Sequence, residues 1–170
     1  MENHKVLEEI KNIYQIVSGQ IAFIESKNGA LIVFNVAMIT VMLSSNQFIT
    51  CLAKGALVGF SISCIIGLRS FSPNRYECKR IKAIDFWNDS LIYFRNIAKY
   101  DARNPKQYVD DLCISLKENF DINKSDLVYS YANEIIVLSK IIVIKHRSFM
   151  QAGLVTVWSI AVLIVDILMK

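Results

Sequence analysis

Three long apolar stretches dominate the pattern of this chain, at residues 28–45, 49–68 and 149–169. Each is about 18 to 21 residues, the length an α-helix needs to cross roughly 30 Å of hydrocarbon. A polar stretch of about 80 residues separates the second from the third. The alternative, a soluble bundle with buried helices, fits poorly, because soluble core helices of this length carry a regular polar stripe.

The polar parts have a helical period. In residues 3–26 the apolar side chains Val6, Ile10, Tyr14, Val17, Ile21 and Ile24 recur at steps of three and four, with Glu8, Glu9, Lys11 and Asn12 on the other side. Nothing breaks this pattern before the first apolar stretch, so one helix is expected to run through both, with Gly19 and Gly29 as its weak points. Residues 76–100 read as mostly helical, with Phe86, Trp87, Tyr93 and Phe94 as core bulk. Asn104-Pro105 reads as an N-cap with proline at the first helical position, opening a helix to about Asn119. Asn123 and Asp126 form an approximate capping box for a last helix whose face is Leu127, Tyr131, Ile135, Leu138 and Ile142. With no proline or glycine between Lys124 and Gln151, that helix is expected to enter the third apolar stretch directly, giving about 45 residues in one rod. The expected architecture is an all-α membrane protein. Its parts are a cytoplasmic amphipathic helix (1–27), transmembrane helices at 28–45, 49–68 and 149–169, and a small cytoplasmic helical domain at 69–148.

Charge orients this arrangement. The polar domain is rich in Lys and Arg, the link between the first two spans has no charge, and only Lys170 follows the third. The positive-inside rule then puts the N-terminus and central domain in the cytoplasm. The first 26 residues are too polar for a cleavable signal peptide. Cys51, Cys64, Cys78 and Cys113 form no C-x-x-C pair and read as packing residues, not as a disulfide framework or zinc site. Catalysis finds no foothold: the histidines are only His4 and His146, with no nucleophile elbow, P-loop or dinucleotide fingerprint, and no cofactor is implied.

Several features could carry mechanism. Gly55, Gly59, Ser63 and Gly67 recur every four residues along the second span. Such a stripe allows close backbone approach, either to a second copy or to the other spans of the same chain. Lys54 and Asp166 lie near the outer ends of spans, as an intramembrane pair or as groups snorkelling to head groups. Asn28 and Asn35, with Thr40 beyond, could line a wet path or bond across helices. At the inner surface, Glu25 and Lys27, Arg69 and Arg75, and Lys145, His146 and Arg147 converge. Arg69, Arg75, Tyr76, Lys79 and Arg80 combine cations with an aromatic ring, which suits either a nucleotide or anionic lipid.

The order and spacing of local strings resemble the small transmembrane effectors of bacterial Pycsar anti-phage systems, with relatives in CBASS systems. The strings are Glu25-Ser26-Lys27-Asn28-Gly29-Ala30 before the first span, residues 91–98 followed by Tyr108, and residues 134–145 with Lys145 at the family's basic position. Asn28-Gly29 departs from the alanine more usual there. The resemblance implies an effector that a cyclic nucleotide from a partner cyclase, cyclic UMP or cyclic CMP, switches on. It would act as a homo-oligomer in the bacterial inner membrane, impair that membrane and abort the infection, with no DNA or RNA partner. A constitutive channel or small transporter, and a scaffold recruiting a cytoplasmic protein, are the alternatives.

Overall fold

A computed structural model of the chain describes residues 2–44, 50–71, 91–117 and 126–169. It is all-helical, with no strand among the described residues. The helices are α1 (Glu2–Ser44), α2 (Cys51–Arg69), α3 (Phe94–Ile97), α4 (Lys106–Leu116) and α5 (Asp126–Leu168). α1, α2 and α5 are long and apolar enough to cross a membrane. α1 is unbroken at Gly19 and Gly29, so the two weak points are tolerated within a helix of 43 residues.

The chain divides into two compact units, one of Met1–Ala22 with Asn74–Val143, the other of Phe23–Pro73 with Ile144–Lys170. The first is built like a soluble domain. Val6, Ile10, Ile13 and Val17 of α1 are buried, as are Tyr108, Val109 and Leu112 of α4 and Val128, Ala132, Ile135 and Ile136 of α5. The buried face of α5 is therefore rotated from the expected one. Leu127 is exposed and Val128 is buried, because this part of α5 packs on α1 and also lies beside α4. Tyr14 meets Tyr131 edge-on at 5.6 Å, and Asp110 and Cys113 are close enough to Tyr129 to help burial push its hydroxyl pKa up. Asn104 does not cap α4: Pro105 holds the cap position with no side-chain bond, and the turn before it is tied by Arg103 N–H to Asp101 Oδ1 at 3.0 Å. α4 ends at Leu116 because Lys117 takes the left-handed conformation at φ 54°. The expected capping residue Asn123, the aromatics Phe86 and Trp87, and the end point Asn119 lie outside the described residues.

The second unit has the opposite distribution. Val33, Val36, Val41, Val58, Ile65, Leu154, Val157 and Trp158 are exposed on its outside, while Asn28, Asn35, Ser63, Thr156, Ser159 and Asp166 are buried inside. In water this surface would be a very large apolar patch; in hydrocarbon it is the favourable arrangement, since polar groups find hydrogen-bond partners inside the protein and none among lipid tails. The bonded pairs Asn28–Ser70 and Asn35–Ser63 step in opposite directions, so α1 and α2 are antiparallel. Glu25–Lys145 and Thr156–Asn35 step together, so α1 and α5 are parallel here. That up–down–up order is what three crossings require. Met42, Ala53, Ala56 and Phe60 form its apolar core, with Ile160 and Leu163 packed against them. Thr50 caps α2, its hydroxyl accepting from Ala53 N–H at 3.2 Å.

Candidate functional site

Two polar sites thread the three-helix unit. The first lies at mid-span. Asn35 Nδ2 donates to Ser63 Oγ at 2.9 Å, Thr156 Oγ1 donates to Asn35 Oδ1 at 3.0 Å, and Ser63 and Thr156 share a bond at 2.8 Å. One residue from each long helix thus closes a ring of three. Ser63 Oγ also lies 2.9 Å from the Ala152 carbonyl, which gives its single proton a second acceptor. All three residues are buried. Both ends of the Asn35 amide are occupied, so it serves as a cross-helix bond rather than an open wet lining. Thr40, by contrast, folds back onto its own helix, donating to Val36 C=O at 2.9 Å.

The second site lies at the α1 Glu25 end of the trio. Lys145 Nζ donates to Glu25 Oε1, and the two form an ion pair. The Lys145 side chain is 7% exposed and that of Glu25 43%, so the cation is the desolvated partner. Lys145 Nζ also stands 5.6 Å from the Phe71 ring centroid, which adds a weak cation–π term. One turn on from Glu25, Asn28 Nδ2 donates to Ser70 Oγ at 2.9 Å. The Asn28 Oδ1 atom is buried with no hydrogen-bond partner. Lys27 turns outward over the Phe23 ring at 4.2 Å, and Arg147 is exposed.

Of the sequence-selected residues, Glu25 and Lys145 meet, whereas Lys27 and Arg147 do not join them. Arg69 is exposed at the last turn of α2, while Arg75, Tyr76, Lys79 and Arg80 lie outside the described residues. Gly59 and Gly67 are used inside the chain. A Cβ on Gly59 would fall 2.1 Å from Ser159 Oγ, and one on Gly67 would fall 2.9 Å from Ile32 Cγ1. Ser63 belongs to the mid-span ring. Gly55 alone of the four faces open space, with nothing within 4 Å of its added Cβ. Asp166 is 2% exposed and does not snorkel, whereas Lys54 is exposed. The reasoning from sequence missed Ser70 and Thr156. The available signal was a hydroxyl within or just after an otherwise apolar stretch, the same signal that singled out Asn35.

A trio of long helices, apolar outside and polar inside, defines a three-span α-helical membrane protein. Its sequence matches the Pycsar effector protein domain, PycTM, over residues 9–170. The chain belongs to the Pycsar effector family. No curated protein and no solved structure matches it.

Proposed function

We propose that this chain is a membrane effector of bacterial anti-phage defence, resident in the inner membrane with α1 starting in the cytoplasm. A cyclic nucleotide, cyclic UMP or cyclic CMP made by a partner cyclase on infection, switches it on. Copies then assemble and impair the membrane, and the infected cell stops growing. The family match across residues 9–170 carries this reading. The mid-span ring gives it a physical basis: a ligand changes the membrane only if it binds one packing of the spans better than another, and a ring of three polar side chains distinguishes one packing from the rest. A signal acts by stabilising an arrangement in which that ring is remade or opened.

The test is leakage from phosphatidylethanolamine–phosphatidylglycerol vesicles holding the purified full chain and a trapped dye. Cyclic CMP or cyclic UMP is expected to start dye release that is absent without nucleotide. Equal release with and without nucleotide would point to a constitutive channel. No release under either condition, with the protein correctly inserted, would reject membrane impairment.

A further inference from the structure

The outward side of α5 departs from the rest of the apolar surface. Ala152, Thr156, Ser159 and Asp166 form the buried side of this helix. Gln151, Leu154, Trp158, Ala161 and Val165 are exposed and recur at alternating steps of three and four, so they make one stripe on the opposite side. We propose that this stripe is the surface by which a second copy of the chain packs, α5 against α5, in parallel and in register. The inference rests on the assembly step of the proposed function and adds the surface that carries it.

Two members of the stripe carry polar groups that the apolar exterior leaves unserved. Neither the Gln151 amide nor the Trp158 indole N–H has a hydrogen-bond partner among the described residues. Trp158 is 71% exposed. It lies eleven residues, about 16 Å of helix, beyond Arg147, the last charge before the third span. That is near the middle of a roughly 30 Å hydrocarbon layer, whereas tryptophans facing lipid collect at its two edges. The exposed and half-buried hydroxyls of the other two spans need nothing from outside. Thr40, Ser44 and Ser61 each donate to the carbonyl four residues earlier, at 2.9, 2.9 and 3.0 Å. Lys54 is exposed near the start of α2, from which its long side chain reaches head groups.

The chemistry of the stripe fits its own copy. A glutamine amide is both donor and acceptor, so it is complementary to itself. Copies inserted the same way into one bilayer present α5 in parallel, and a shared symmetry axis then sets Gln151 opposite Gln151 and Trp158 opposite Trp158. The facing amides bond reciprocally, and bonds of this kind hold helices together in lipid. Facing indoles gain an offset or edge-on ring contact, and the small Ala161, about one turn on, leaves room for a ring. Lipid tails offer neither group a partner. In the sequence Gln151 and Trp158 are two isolated residues of one apolar stretch; the burial of Thr156 and Ser159 is what turns their shared side outward.

The experiment is Förster transfer between donor- and acceptor-labelled full chains in phosphatidylethanolamine–phosphatidylglycerol vesicles. Lipid is added stepwise, with and without cyclic CMP or cyclic UMP. Wild type should associate, and Gln151→Leu and Trp158→Leu should each weaken association about tenfold. Phe34→Leu and Val58→Leu, at exposed positions of α1 and α2, should leave it unchanged. All four variants should keep the far-ultraviolet circular dichroism of wild type. In a chain whose native cysteines are alanine, Leu154→Cys and Ala161→Cys should give disulfide-linked pairs on oxidation. Val157→Cys and Ile164→Cys, exposed to one side of the stripe, should not. Association that survives both Gln151→Leu and Trp158→Leu would overturn the stripe, whatever else reduces it. So would a wild-type chain that stays monomeric at every dilution; if nucleotide still released trapped dye from those vesicles, the proposed function would stand without this interface. Association through the stripe with no dye release would reject the proposed function and leave the interface in place.

Discussion

Replacing Gly59 by alanine isolates the contact between α2 and α5. The new Cβ would sit 2.1 Å from Ser159 Oγ and 3.2 Å from Ser159 Cβ, against a favourable carbon separation of about 3.5–4.0 Å. The Ser159 hydroxyl is held by its own bond to the Val155 carbonyl at 2.8 Å, so it clears the way only by breaking that bond or by moving the helices apart. Ala56 and Phe60 on the same helix are each at most 1% exposed and leave little room for the second route. Overpacking of this kind costs about 1–3 kcal/mol, which outweighs the roughly 1 kcal/mol by which alanine is favoured over glycine in a helix. Adding Ser159→Gly removes both offending atoms, leaving Ser159 Cα at 3.9 Å as the nearest neighbour. The double variant should therefore recover at least about 1 kcal/mol relative to additive single effects. Gly55→Ala, with nothing within 4 Å, is the control and should be neutral or slightly stabilising. Denaturation in mixed micelles with increasing sodium dodecyl sulfate, followed by circular dichroism, measures all four variants. A Gly59→Ala protein as stable as wild type would refute the intrachain contact. A Gly55→Ala cost equal to that of Gly59→Ala would instead mean that the whole stripe faces a second copy.

Two further outcomes are expected. Thr156→Val keeps the shape of the side chain but removes the donor to Asn35 Oδ1; it should cost about 1–2 kcal/mol in the same titration, and no loss would mean the mid-span ring contributes nothing. Burial, then the neighbouring Tyr100 and Glu9, push the Tyr108 hydroxyl pKa above its ordinary 10.0. A raised value favours the neutral form in the folded chain, so this contribution is intact below pH 10 and is lost as pH rises beyond it. Thermal unfolding should show wild type losing stability above about pH 10 and Tyr108→Phe losing less, and parallel curves for the two would contradict the assignment.

The helices were legible because their signals are local and repeated. An apolar stretch, a three-to-four step and the absence of proline predicted that the N-terminal amphipathic segment continues into the first span and that one rod of about 45 residues includes the third; α1 does so, and α5 is a rod of 43 residues. The details that failed depended on neighbours. Leu127 lies at the edge of a face that α1 and α4 together turn toward Val128, and the cap expected from Asn104 gave way to a turn tied by Asp101. The polar sites were half legible: Glu25, Lys145, Asn35 and Ser63 stood out as the wrong kind of residue for their surroundings, but nothing local pairs them.

By itself the sequence determined that the chain is helical, that three segments match a bilayer, and which polar residues those segments carry, because hydrophobic length and helical period depend on residues within a few positions of one another. Only the tertiary structure decided that Asn35, Ser63 and Thr156 close a ring, that Lys145 meets Glu25, and that Gly59 and Gly67 are consumed inside one chain while Gly55 is left open. Those partners lie 28 to 121 positions apart, and only the rotation and register of packed helices bring them to bonding distance.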